Sequence, residues 1–229
     1  MNKKNTIQIL ALFIALLFHI SGLAGILFTQ YKDWFIQNTY INLLLMAALI
    51  LVTHPSKNKN FFIFFMAAFL IGFAIEVLGV NTGLLFGRYN YSDILGIKVF
   101  NVPLIIGINW FIIIYCAGMV TQAYENFMIK KINEQGIAIN KRMKLVSFII
   151  DASFLSLLFD WVMEPVASKL GYWQWQNDEI PFLNYVSWMI ASALLLWLFR
   201  KLNQNSHNKF AVHLFIIQLL FFLVLRTFL

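Results

Sequence analysis

Apolar residues in this chain come in long unbroken runs separated by short polar stretches, at about 7–28, 36–53, 61–80, 103–121, 143–162, 182–200 and 209–228. A helix needs about 20 such residues to cross a hydrocarbon layer of roughly 30 Å, and the second run is the shortest of the seven. None of the runs alternates with period two, and backbone polar groups in lipid must bond within their own segment, so the pattern predicts helices and not a barrel. The expected fold is all-α: a single polytopic membrane domain over residues 1–229 with about seven transmembrane helices and no soluble module.

Composition agrees with that environment. At 61% hydrophobic and 12% charged, 229 residues have too little polar surface to coat a soluble globule. Lys3 and Lys4 precede the first run, but that run is longer than the core of a secretory signal and Phe28-Thr-Gln-Tyr offers no small-residue cleavage site, so a retained first helix is expected. A cytoplasmic N-terminus puts Lys57, Lys59, the basic group from Lys130 to Lys144, Arg200, Lys201 and Lys209 on the inner side. It leaves only Lys32, Arg88, Lys98, Lys169 and Arg226 outside. The net charge of +7 is then explained by loops facing anionic lipid and needs no nucleic-acid partner. Cys116 is the one cysteine and lies mid-helix, which excludes a disulfide and points to core packing. The four histidines are scattered with no acid at ligand spacing, so no metal is expected.

The two longest outward loops, about 81–102 and 163–181, carry matching motifs. Glu76 precedes Gly87 by eleven residues and Asp160 precedes Gly171 by eleven. Each glycine opens Gly-x-ring-amide-ring, as Gly-Arg-Tyr-Asn-Tyr (87–91) and Gly-Tyr-Trp-Gln-Trp (171–175). A proline follows in each and a tryptophan seven residues later, Pro103 to Trp110 and Pro181 to Trp188. This suggests a parallel repeat of two helical hairpins, units 61–121 and 143–200, with Glu76 and Asp160 as equivalent acids facing one site.

An ionisable group inside a membrane span is costly and by default faces the bundle interior and marks function. The candidate catalytic residues are therefore Glu76, Asp160 and Glu164. The last two lie four residues apart and share one helix face if the helix reaches Pro165, which is expected to end it. Two acids so placed in a low dielectric combine a proton donor with a group that can hold water, the pairing acid–base catalysis uses. Asp151 is about half a turn out of phase with Asp160 and is expected to make a structural bond, with His19 as a candidate partner. The candidate substrate-binding residues are Tyr89, Tyr91, Trp110, Trp173, Trp175, Trp188 and Asn184. Tryptophan and tyrosine also gather in interfacial belts, but rings beside acids form a pocket whose faces stabilise cations, which suits carbocation chemistry.

The stretch Glu-Val-Leu-Gly-Val-Asn-Thr-Gly-Leu-Leu-Phe-Gly-Arg-Tyr-Asn-Tyr (76–91), with Val102-Pro103 and Trp110, resembles the first signature of the membrane carotenoid biosynthesis proteins. Asp160, Glu164, Pro165, Gly171, Trp173, Trp175, Pro181, Asn184 and Trp188 resemble the second. The resemblance covers about 70–190 and implies an enzyme, a carotenoid hydratase, of a bacterial or archaeal cytoplasmic membrane. Such an enzyme adds water to the terminal C1–C2 double bond of an acyclic (psi) carotenoid end without a cofactor. It implies a lycopene-like or gamma-carotene-like substrate, membrane lipid as surroundings and other carotenoid enzymes as partners. In that scheme Glu76 or Asp160 protonates C2, rings such as Tyr89 and Trp173 hold the tertiary cation, and the other carboxylates position water.

Related protonation chemistry without water capture makes a carotenoid end-group cyclase or isomerase the neighbouring alternative. A small proton-coupled transporter is another, although it needs polar residues deep in several helices and here they gather toward the outer ends. A retinal photoreceptor requires a lysine buried mid-helix, and no lysine lies mid-span.

Overall fold

The computed structural model describes residues 3–134, 140–202 and 207–229. Its helices are α1 (Lys3–Phe28), α2 (Lys32–Gln37), α3 (Thr39–Thr53), α4 (Lys59–Thr82), α5 (Ile105–Glu134), α6 (Lys141–Lys169), α7 (Phe182–Lys201) and α8 (Lys209–Phe228). Six of these, all but α2 and α3, are long and apolar enough to cross a membrane.

The expected second span, 36–53, is corrected. It breaks at Asn38, whose backbone N–H and side-chain Nδ2 both donate to the carbonyl of Trp34, the local competition by which asparagine interrupts helices. The 15 residues of α3 extend about 22 Å at 1.5 Å per residue, less than a hydrocarbon core. α3 runs back beside α1, so that Gln8 Nε2 near the start of α1 donates to the Thr53 carbonyl at 2.9 Å. Short α2 is pressed onto α1 at Gly25, where a Cβ would lie 2.1 Å from the Phe35 ring.

α5 is the axis of the bundle and touches α3, α4, α6, α7 and α8. Its residues Trp110 to Ala117 are all buried, as expected for a helix apolar on every side, and Cys116 is simply one of them. Gly72 on α4 faces this axis. A Cβ there would lie 2.4 Å from Trp110 Cγ, so glycine is what lets the indole pass close to α4.

The fold departs from all-α at one end of the bundle. The loop after α4 forms β1 (Tyr89–Tyr91), β2 (Lys98–Val99) and β3 (Val102–Pro103), and the loop after α6 forms β4 (Trp173–Trp175). β2 and β3 make a small hairpin turned by Phe100 and Asn101, both with positive φ. β1 pairs antiparallel with β4 in the register Tyr89↔Trp175, Asn90↔Gln174, Tyr91↔Trp173. Backbone bonds from Gln176 N to Arg88 O and from Ser92 N to Tyr172 O continue the ladder at both ends. Strands this short escape a search for apolar runs because their pairing is wholly long-range.

Pro165 does not end its helix, which is a further correction: α6 continues through it to Lys169. Proline removes the N–H that would have bonded the carbonyl four residues back, that of Trp161. Arg226 on α8 takes over that carbonyl with an Nη1 donation of 2.8 Å and lays its guanidinium 4.1 Å over the Trp161 ring. Asp151 and His19 are not partners either. Asp151 is exposed, while His19 Nδ1 bonds the Ala15 carbonyl at 2.7 Å and its ring meets Phe221 edge-on.

Two predictions follow from this packing. Arg226→Met removes the donor from the Trp161 carbonyl and should cost about 0.5–1.5 kcal/mol, read as a lower melting temperature in detergent. Gly72→Ala should cost a similar amount, about 1–3 kcal/mol, by pushing Trp110 off α4, and should alter tryptophan near-ultraviolet dichroism as well as stability.

Candidate active site

Ring-amide-ring is read out by the strand period. Side chains alternate along β1 and β4, so Tyr89, Tyr91, Trp173 and Trp175 point into the protein while Asn90 and Gln174 point out. The four inward rings form one layer, with Tyr89 and Trp175 centroids 4.8 Å apart and Tyr91 and Trp173 5.7 Å apart. Gly87, at φ 100°, starts this arrangement. A Cβ on it would also lie 2.5 Å from Pro181 Cγ, so the two loops close on each other only with glycine here.

Beneath the ring layer lie the acids. Glu76, on the last turns of α4, accepts from both phenols, with Tyr91 Oη at 2.9 Å from Oε2 and Tyr89 Oη on the same oxygen. Its Oε1 accepts from Trp110 Nε1 at 2.9 Å. Burial, reinforced by the Glu76 charge, holds the Tyr89 and Tyr91 phenols well above their ordinary pKa, so both remain protonated and able to donate. On α6, Glu164 Oε2 accepts from Trp173 Nε1 and Trp175 Nε1, each at 2.9 Å.

Asp160, one turn earlier on α6, accepts from Asn184 Nδ2 of α7 at 2.9 Å on Oδ2. Its Oδ1 meets no amide, hydroxyl or indole donor among the described residues and instead faces the Glu164 carboxyl. Two buried carboxyls one turn apart in a water-poor site are favoured together when one of them carries a proton. Trp188, on the same helix as Asn184, stacks on Trp110 at 4.0 Å with the planes 10° apart.

All ten sequence-predicted residues are thus buried and meet in one cluster. Glu76 and Glu164 line a common void of about 20 Å³, while Asp160 lies behind Glu164 and does not line it. That volume suits about one water and no hydrocarbon. Outside the ring layer, β1 and β4 floor a polar hollow of about 880 Å³ bordered by Asn81, Arg88, Asn90, Gln174 and Asp178. On its inner side the void adjoins a chamber of about 70 Å³, the two sharing Ile106, Asn109, Met163 and Trp173.

Asn109, Ile106, Met163 and Phe86 are the lining residues that sequence reasoning missed. Asn109 had a usable signal, a lone amide in the apolar run 103–121 next to Trp110. The apolar three had none, since nothing local separates them from ordinary core residues.

A profile of carotenoid biosynthesis proteins matches residues 37–229, a region that holds every residue of the cluster. Over 149 residues the chain is 24% identical to bisanhydrobacterioruberin hydratase of Haloarcula japonica, a match that takes in 63% of this chain. It takes in 46% of that protein, so the chain spans just under half of the relative's length. No solved structure matches the chain. By the extent of the profile match, this protein belongs to the carotenoid biosynthesis protein family.

Proposed function

We propose that this protein hydrates the psi end of a linear carotenoid at the cluster of Glu76, Asp160 and Glu164, in a membrane where the acid end of the bundle faces outward. The observation that carries the proposal is the water-sized void bounded by two carboxyls and closed by inward-facing rings. The hydratase relative supplies the reaction class.

The two acid sites have different chemistry to offer. Three donors converge on Glu76, a demand on acceptor lone pairs that a carboxylate meets more fully than a protonated acid. The Asp160–Glu164 pair has the opposite character, since two buried carboxyls one turn apart on one helix repel each other unless one is protonated. Glu164, which borders the void, delivers that proton to C2 of an alkene end that comes from the adjoining chamber as Ile106, Asn109 and Met163 give way, and the π electrons of the C1–C2 bond form the new C–H bond. Positive charge is left on tertiary C1, where the faces of Trp173 and Tyr89 lower its energy. Water in the void, oriented by Glu76, adds its oxygen to C1 and gives its proton to Glu76. Return of that proton to the Asp160–Glu164 pair closes the cycle. Asp160 is a positioning residue in this scheme, held by Asn184.

Ring closure would give a cyclase from the same protonation, but a site with room for a water beside a carboxylate favours capture by oxygen. Transport is less well supported. The polar cluster at the other end, with Gln8, Thr53, Tyr115 and Asn208, is separated from the acids by the apolar residues Phe111 to Ile114 of α5.

The test is expression in a lycopene- or gamma-carotene-producing bacterial host grown in heavy-oxygen water. The expected pigment is heavier by one water and carries the heavy oxygen. Glu76→Gln and Glu164→Gln should each lower conversion at least about 100-fold, and Asp160→Asn less, about tenfold. A product of unchanged mass with a shortened chromophore would show a cyclase, and unaltered pigment in membranes that contain the protein would overturn the proposal.

A further inference from the structure

We propose that the psi end reaches the acids sideways from the lipid, through a groove between α1, α2, α3 and α8. This rests on the carotenoid reading of the acid cluster and adds to it the path that the substrate takes.

The hollow over β1 and β4 is a poor path for a hydrocarbon. Its border is amide, hydroxyl and charge, and the layer of four rings stands between it and the acids. A long polyene dissolved in the bilayer would have to leave lipid for water to use it. On the other side the structure offers three neighbouring spaces of rising size. The void at the acids adjoins the chamber of about 70 Å³ across Ile106, Asn109, Met163 and Trp173. The chamber in turn shares Thr39, Asn42 and Phe221 with a groove of about 430 Å³.

That groove is apolar and opens outward. Leu17, Phe18, Ile26, Trp34, Ile41 and Phe221 border it, and Phe18, Trp34 and Ile41 are exposed. Asn38, Thr39 and Asn42, at the junction of α2 and α3, border the opening. The doorway between groove and chamber is framed firmly on one side and more loosely on the other. Thr39 is fixed by the Tyr172 hydroxyl at 2.5 Å, whereas Phe221 is held by edge-on ring contacts with His19 and Phe222. A linear end threaded through this doorway points at Trp173, beyond which lies Glu164, and its chain trails back into lipid.

Two variants and a label test the path. Gly22 lines the groove beside Phe221, and a Cβ there meets Phe221 at an ordinary 3.4 Å, so Gly22→Phe fills the groove without disturbing the acids. Conversion of lycopene should fall at least about tenfold in Gly22→Phe and recover in part when Phe221→Ala is added to it, which reopens the groove, with melting temperature as the folding control. Independently, a psi-ended isoprenoid carrying a diazirine along its chain should label Phe18, Ile26 or Phe221 of the wild-type protein in vesicles on irradiation. Wild-type conversion in folded Gly22→Phe, or label concentrated on Arg88–Ser92 and Gly171–Gln176, would overturn the path. Label in the groove of a protein that converts no carotenoid would uphold the path and reject the hydration reading.

Discussion

Burying carboxyl groups in a water-poor helical bundle is the constraint on which the rest of this structure depends. An unpaired acid there costs several kcal/mol, and each hydrogen bond to a charged group returns about 1.5–3 kcal/mol. Five ring donors answer that need: Tyr89, Tyr91 and Trp110 for Glu76, Trp173 and Trp175 for Glu164. Four of them come from loops, so the loops must be held rigidly, and the β1–β4 pairing does this by tying the two connections to each other. The tight glycines at 72 and 87 follow from the same demand, one admitting Trp110 beside α4 and the other letting the loops close.

In the proposed hydration the same rings take a second part. A phenol or indole edge donates to a carboxylate while its π face attracts a cation, so one layer of side chains would stabilise the resting acids and then the charge that develops when a proton moves. It also parts two media. Polar groups and open space lie on one side, and apolar chambers leading to the helix surface lie on the other. The proposed reaction between water and an oil-soluble alkene needs such a boundary, with the acid set where the two reactants would meet.

Arg226 shows how the bundle protects this arrangement at a distance. Pro165 follows Glu164 directly, and by removing one helical bond it loosens the turn that carries both acids of α6. The guanidinium on the Trp161 carbonyl restores that bond from a neighbouring helix. α6 therefore stays helical to Lys169, and Asp160 and Glu164 remain one turn apart on one face.

Much of this was legible in the chain. Six long spans follow from apolar runs because backbone desolvation in lipid leaves helix as the local solution, a property of each segment alone. The acids stood out because few ionisable residues occur in such runs, and the ring-amide-ring motifs because they recur at one offset from an acid. What required tertiary structure was everything set by contacts between distant segments. The break at Asn38 and the rescue of the Pro165 turn by Arg226 depend on partners far away in sequence or on a balance of local bonds. The pairing of β1 with β4 joins residues more than 80 positions apart. The division of labour among the acids, with Glu76 and Glu164 on the void and Asp160 behind, depends on which donors reach which oxygen, and only packing decides that.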